Sequence, residues 1–400
     1  LAVIGSADLS LRIIDLCCYR WGLSMEPLPT IKIEGPAMIA RFHNPVDTRF
    51  GWDSLLELAS ITENQTVALV IFPEARGLGL VDRIEDLLGD RLVYIVEDVQ
   101  PNPDVAQLRS TYERFWQEAG DCHAVLAVGG GSAIDTAKAL IVGTESGSFD
   151  ELLALLAAGK PFVPARSKQL IAAPTTAGTG SEVTPWATIW DTENQKKYSL
   201  HLDCTWPKVA IIDPKLMLTV PAGVTVSTGL DALSHALESI WNINANPISD
   251  TFAISAIEDI LECLPLLRRD LTSKELRSRM ALAALKAGMA FSNTKTALAH
   301  SISYEMTLRH GLPHGIACSF TLPLVLGLAW GHDEARDRIL QRVFGNDLAE
   351  AQAQLRDFLH SLDVKTEFSD YGVTAKEAEE MINFAMQGAR GKNFIGAKAA

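Results

Sequence analysis

"HAVLAVGGGSAIDTAKAL", residues 123–140, passes from an apolar run through three glycines into a helical pattern. Gly129, Gly130 and Gly131 remove side chains where the backbone must turn and approach a ligand. Ser132 and the amides after it open a helix N-terminus, whose free N–H groups and dipole favour an anion. A plain glycine-rich strand-to-helix turn would read the same way. The stretch is not the G-x-G-x-x-G fingerprint, and no Gly-Lys-Ser/Thr follows, so neither of those phosphate motifs applies.

Outward from this unit, short apolar runs alternate with helical patterns. "TVALVIF" (66–72), "RLVYIVE" (91–97), "QLIAAPTT" (169–176) and "KVAIIDP" (208–214) are strand candidates bounded by Gly, Pro or Asp, and "DVAQLRSTYERFWQEAG" (104–120) reads as a helix. Strand and helix in alternation imply a parallel sheet with helices on both faces. From about residue 222 the strand signals stop. The stretches 249–270, 273–307, 347–364 and 374–388 are helical, rich in Ala and Leu. The predicted organisation is an extension at 1–36, an α/β dinucleotide-binding domain at 37–214 and an all-helical, metal-binding domain at 215–400. A cleft between two such halves is a common place for a ligand.

The 400 residues are 48% hydrophobic and 21% charged, enough for a sizeable core, and the formal net charge is −14. An acidic chain gains nothing from polyanions, which argues against nucleic acid and anionic membranes as partners. No run of 18 apolar residues exists to span a bilayer. Six scattered cysteines without C-x-x-C read as reduced thiols of a cytoplasmic protein. The stretch before Met25 is interrupted by Asp8, Arg12 and Asp15, so it is not read as a signal peptide.

Two further segments carry chemistry. "APTTAGTGSEVTPWA" (173–187) offers the hydroxyls of Thr175, Thr176, Thr179 and Ser181 beside Gly178 and Gly180. A Ser/Thr-rich surface loop has this composition too. Paired with the GGGS turn at the end of a neighbouring strand, it suits a dinucleotide. In "GLDALSHALESI" (229–240) an apolar stripe of Leu230, Leu233, Leu237 and Ile240 faces one way, and Asp231 and His235 stand four apart on another face. That face is either solvated or half of a metal site. His300 follows on a small-residue helix and His314 after a Gly-Leu-Pro turn. One carboxylate and three imidazoles, without thiolate, suit Fe(II), Zn(II), Mn(II) or Co(II).

At these residues the chain resembles the iron-containing (group III) alcohol dehydrogenases. The resemblance spans about residues 37–345 and rests on "NPVDTRFG" (44–51), "PNP" (101–103), "GGGSAIDTAK" (129–138), "PTTAGTGSEVT" (174–184), "TGLDALSHALES" (228–239) and "AHSISYEMTLRHGLPHG" (299–315). It implies that Asp231, His235, His300 and His314 bind the metal, Fe(II) or Zn(II). It implies that Gly130, Gly131 and Ser132 hold the pyrophosphate of NAD or NADP, with Asn102, Thr175, Thr176, Thr179 and Ser181 along the cofactor and Lys197 at the ribose. A homodimer and reversible aldehyde–alcohol interconversion are also implied, and the order of motifs is similar to the branch associated with phosphonate metabolism, making phosphonoacetaldehyde a candidate substrate.

Three departures stand out. Pro73 occupies the place of an aspartate that holds the adenosine ribose, with Glu74 next to it, so NAD and NADP both stay open. Tyr304 replaces a histidine that faces the substrate. It reads either as an aromatic wall or as a proton donor, with His310 a second relay. The tail "RGKNFIGAKAA" differs from the ending the resemblance implies. Rival readings are a glycerol-dehydrogenase-like or dehydroquinate-synthase-like enzyme on the same scaffold, and a catalytically silent dinucleotide-binding homologue.

Overall fold

The computed structural model describes residues 39–399. The predicted extension at 1–36 lies outside the described residues. From Arg41 onward the described chain forms one compact unit.

Ten strands occur among the described residues: β1 Asp47–Phe50, β2 Val67–Ile71, β3 Leu92–Val96, β4 Ala124–Gly129, β5 Val142–Gly143, β6 Arg166–Ser167, β7 Gln169–Pro174, β8 Trp186–Asp191, β9 Lys196–His201 and β10 Val209–Ile212. Six form one sheet in the order β1-β10-β7-β4-β2-β3, and every pair in it is parallel. All five predicted runs are in this sheet. Their period-2 alternation divides two cores. Val67, Leu69, Ile71, Leu126 and Val128 face one layer, while Ala68, Val70, Val125 and Ala127 face the other.

Helices cover both faces. The short α1 (Leu58–Ile61) and α2 (Leu80–Leu88) pack on the first face through Leu58, Val81, Ile84 and Leu88. On the second lie α3 (Val105–Glu118), α4 (Gly131–Leu140) and α5 (Phe149–Ala157), which bury Phe115, Ile134 and Phe149. Asp104 caps α3 by accepting from the Ala106 N–H at 2.9 Å. Its other carboxylate oxygen accepts from the Thr192 N–H and hydroxyl, at 3.0 and 2.7 Å. One side chain thereby ties the antiparallel β8–β9 hairpin to the Pro101–Asp104 turn.

After β10 the chain is helical. α6 (Ala222–Ile240), α7 (Pro247–Arg269), α8 (Lys274–Thr294), α9 (Leu298–His310), α10 (His314–Ser319), α11 (Leu322–Ala329), α12 (Glu334–Phe344), α13 (Leu348–Ser361) and α14 (Ala375–Gln387) enclose a third core around Leu233, Leu237, Ile257 and Leu326. The helical run predicted over 273–307 is two helices. Lys295 adopts φ 67°, which ends α8 and redirects α9. No helix among the described residues is long and apolar enough to cross a membrane.

Candidate active site

A cleft of about 570 Å³ opens between the carboxyl ends of the strands and the helices, a size suited to a small ligand or cofactor. On the sheet side it is lined by Asn102, Gly130, Gly131, Ser132, Thr176, Thr179 and Ser181, and at the hairpin by Lys197. The glycine turn and the threonine loop touch. A Cβ on Gly131 would lie 2.7 Å from Thr179 Cγ2, so only glycine admits the loop there. The Ser132 hydroxyl accepts from the Asn102 N–H at 3.1 Å. Free amides at the start of α4 and hydroxyls around them make a seat for phosphate oxygens. Thr175 is placed differently: it is buried, its N–H donates to Gly129 at 3.0 Å, and its side chain does not line the cleft.

Two residues of the glycine-turn motif support this wall from behind. Lys138 is fully buried and donates to the Ser181, Thr184 and Trp186 carbonyls and to the Ser181 hydroxyl, at 2.7–2.8 Å. Asp135 accepts from the Ser181 hydroxyl at 2.7 Å and the Thr188 N–H at 2.9 Å. Burial brings the Lys138 ammonium down to about 8 and the Glu182 carboxyl beside it up to about 7. The sequence reading missed these supports, because their partners lie 43 or more residues away along the chain.

The helical wall carries the histidines. Asp231 and His235 lie one turn apart on α6, His300 near the start of α9 and His314 at the start of α10. All four line the cleft. His300 Nε2 is 3.3 Å from Asp231 Oδ1, and the Nε2 atoms of His235 and His314 are each 3.8 Å from it. His235 is stacked between Phe291, at 4.0 Å, and His300, at 4.6 Å. Close packing of α10 on α6 sets His314 in place: a Cβ on Gly315 would lie 1.8 Å from the Ser227 carbonyl oxygen.

These residues fit a divalent ion. Asp231 Oδ1 and His300 Nε2, 3.3 Å apart, are buried without a hydrogen-bond partner among the described residues, and His235 turns its Nε2 toward the same Asp231 oxygen. Such atoms cost about 1–3 kcal/mol each when unpaired, and a shared cation is the economical partner for several that converge. Burial raises the Asp231 carboxyl, but His235, His300 and His314 around it hold it far below the usual range, so it is ionised. Burial brings His235 down to about 4, which leaves it neutral; burial acts on His300 and His314 too, but Cys318 and Asp231 beside them hold both above the ordinary value.

Two members of the cluster were not foreseen. Glu238, fully buried, accepts from His300 Nδ1 at 2.7 Å and from the Ala297 and His300 N–H groups at 2.9 and 3.1 Å. It caps α9 and fixes the His300 ring with Nε2 turned inward. Cys318 lies one helical turn after His314, and the ligand atoms of Asp231, His300, His314 and Cys318 all fall within 4.8 Å of one another. A thiol therefore lies beside the oxygen and nitrogen ligands expected from the sequence. A His-x3-Cys spacing on one helix was the available signal. Burial pushes the Cys318 thiol up, but His300 and His314 bring it to about 7.

The proposed proton relays are Tyr304 and His310. His310 is exposed at the end of α9 and is not among the residues that line the cleft. The Tyr304 hydroxyl is buried without a partner among the described residues, and its ring is in contact with Lys197 and Arg390.

Known proteins resemble this chain over most of its described length. The family described as "Iron-containing alcohol dehydrogenase" matches residues 45–214, and "Fe-containing alcohol dehydrogenase family, C-terminal" matches residues 225–398. The NAD-dependent methanol dehydrogenase of Bacillus methanolicus is 40% identical over 234 residues, covering 58% of this chain and 60% of that protein. The NADPH-dependent butanol dehydrogenase of Clostridium saccharobutylicum is 31% identical over 371 residues, covering 88% and 92%. Among solved structures, sulfoacetaldehyde reductase from Bifidobacterium kashiwanohense in complex with NAD+ superposes with a TM-score of 0.82 at 28% identity, covering 90% of this chain and 98% of that one. With both patterns matched across nearly the whole described chain, this protein belongs to the iron-containing alcohol dehydrogenase family.

Proposed function

We propose that this protein is a metal-dependent oxidoreductase that moves a hydride between NAD(P)(H) and a small polar alcohol or aldehyde. The observation that carries the reading is the convergence of the unpaired Asp231 and His300 ligand atoms, 3.3 Å apart, on a cleft whose opposite wall is a phosphate-type glycine turn. Asp231, His235, His300 and His314 would hold Fe(II) or Zn(II), and Gly130, Gly131, Ser132, Asn102 and the threonine loop would hold the dinucleotide. When bound, the ion supplies a Lewis acid for a carbonyl oxygen and the nicotinamide supplies the hydride.

The chain's own residues do the positioning. Glu238 locks the His300 tautomer, and Phe291 fixes the plane of the His235 ring. Lys138 and Asp135 hold the threonine loop rigid. The substrate in its narrowest form is phosphonoacetaldehyde; the structural similarity to an enzyme named for another acid-bearing two-carbon aldehyde supports that choice. A homodimer in the cytoplasm completes the reading: the resemblance supplies the dimer, and Cys122, Cys204, Cys263 and Cys318 are all free thiols.

The test is reduction of a panel of short aldehydes by NADH or NADPH, using metal-stripped protein returned to Fe(II) or Zn(II). Turnover that requires the added metal is the expected result. Dinucleotide binding without turnover of any aldehyde, under either metal, would make the protein a silent homologue.

A further inference from the structure

Three cations line the cleft, Lys197, Lys295 and Arg390; Lys295 is exposed, and Asp135 and Asp231 lie near enough to Lys197 to favour its charged form, whereas Arg390 has no ion pair among the described residues. Lys197 lies on β9 and Arg390 in the segment after α14. Both rest on one aromatic ring: Lys197 Nζ is 3.7 Å and Arg390 Cζ 4.8 Å from the Tyr304 ring centroid. Neither makes a hydrogen bond or ion pair among the described residues, although the chain has 49 acidic against 35 basic side chains. Other inward-facing cations are satisfied. Lys138 has four oxygen partners, Arg277 bonds Leu271, Thr225 and Val220, and Arg336 pairs with Asp250 at 2.6 Å.

Two like charges drawn out of bulk water cost free energy. Burial lowers the pKa of both groups, and Arg390 lowers that of Lys197 further. Contact with the Tyr304 face offsets part of that cost, and Arg390 is left without an anion.

The pyrophosphate of a dinucleotide is not that anion. Its seat is the glycine turn on the sheet side, whereas Arg390 arrives from the helical side. The segment that carries Arg390 is pinned there by Asn393, which donates to the Thr296 carbonyl at 2.8 Å, just before the helix of His300. Its nearest carboxylate influence is Glu238, already engaged by His300.

Resting on the oxidoreductase reading above, we propose that Arg390, held against the Tyr304 ring, is a specificity-determining seat for an acidic group of the substrate. The alcohol or aldehyde carries an oxyanion a few bonds from the carbon that exchanges hydride. An unpaired guanidinium drawn out of bulk water favours a doubly charged phosphonate-type group over a singly charged sulfonate or carboxylate. A guanidinium can grip such an oxyanion through two N–H groups, which a lysine cannot.

Titration calorimetry on the full chain, with ethylphosphonate as an unreactive probe, tests this. Binding should persist when NADH is saturating. It should be tighter than for ethanesulfonate or propionate, and should weaken about tenfold to a hundredfold in Arg390→Met, the range for a lost charged hydrogen bond. Arg390→Lys should fall between the two, and it serves as the decisive variant if Arg390→Met does not fold. Equal affinity in wild type and Arg390→Lys or Arg390→Met, displacement by NADH, or absence of binding would each overturn the proposal. A matched assay compares kcat/KM for phosphonoacetaldehyde and propanal within each variant, and the ratio should collapse when Arg390 is replaced. Ethylphosphonate binding that depends on Arg390 in a protein that reduces no aldehyde would refute the oxidoreductase reading and leave the seat standing.

Discussion

Replacing Glu238 by glutamine keeps the shape of the side chain and removes its charge. Its two carboxylate oxygens accept three hydrogen bonds in a fully buried site: His300 N–H on Oε1, and Ala297 N–H and His300 Nδ1 on Oε2. A glutamine amide has one acceptor oxygen. With that oxygen toward Ala297 and Nδ1, its NH2 faces the His300 N–H, and one buried donor goes unpaired at about 1–3 kcal/mol. In the flipped orientation the NH2 faces Nδ1. The ring then favours the tautomer protonated on Nε2, the atom turned toward Asp231, and a protonated Nε2 cannot bind a metal. Burial raises the Glu238 carboxyl, but His300 and the two N–H groups hold it below its ordinary value, so a full charge is lost at neutral pH. Losing an orienting partner of this kind costs about 10–100-fold in metal affinity. Competition with a chelator of known affinity, on wild type and Glu238→Gln, measures it. Affinities equal within twofold, with the variant folded, would refute the argument that Glu238 sets the His300 tautomer.

Three further outcomes follow from the geometry. Tyr304→Phe keeps the ring under Lys197 and Arg390 and deletes an unpaired buried hydroxyl, so kcat should fall far less than the 10²–10⁴ of a lost general acid; a loss of that size, with a changed pH profile, would restore the proton-relay role. Glu182 has a folded pKa of about 7 against an ordinary value of 4.5. The folded state therefore holds a proton that the unfolded state releases, and stability falls as pH rises from about 4.5 to 7. Denaturation of Glu182→Gln should show that fall removed, and parallel stability curves for the two proteins would contradict the burial argument. Glu74 is exposed after β2 in a turn led by Pro73, which has no N–H to offer. NADPH should accordingly be used within about a hundredfold of NADH in kcat/KM, some 2.7 kcal/mol; a larger preference for NADH would assign the ribose to Glu74.

The buried sheet strands were legible because each is a run of apolar residues closed by Gly, Pro or Asp. β1 was not, since Asp47, Thr48 and Arg49 form a short, largely exposed edge that pairs only with β10. The break at Lys295 left no mark either: "FSNTKTALAH" contains no Gly or Pro, and the turn is imposed by Glu238 capping α9 from a helix 59 residues earlier. Asp231 and His235 could be paired from their spacing alone, as could His314 and Cys318 once a thiol was admitted. Glu238 shares a helix with Asp231 and His235, but its partner His300, like Arg390 in the cleft, arrives only through packing between elements, and no local pattern encodes that. Arg390 sits in a tail whose departure from the resembled ending was visible, while its arrival in the cleft was not.

The central claim is a single divalent ion held by Asp231, His235, His300 and His314. Crystals of the Zn(II)-loaded protein, measured on both sides of the zinc absorption edge, test it most directly. The account predicts one anomalous peak about 2.0–2.2 Å from those four side chains, absent from His300→Ala crystals of the same fold. A peak elsewhere, or none in fully loaded wild-type protein, would contradict it.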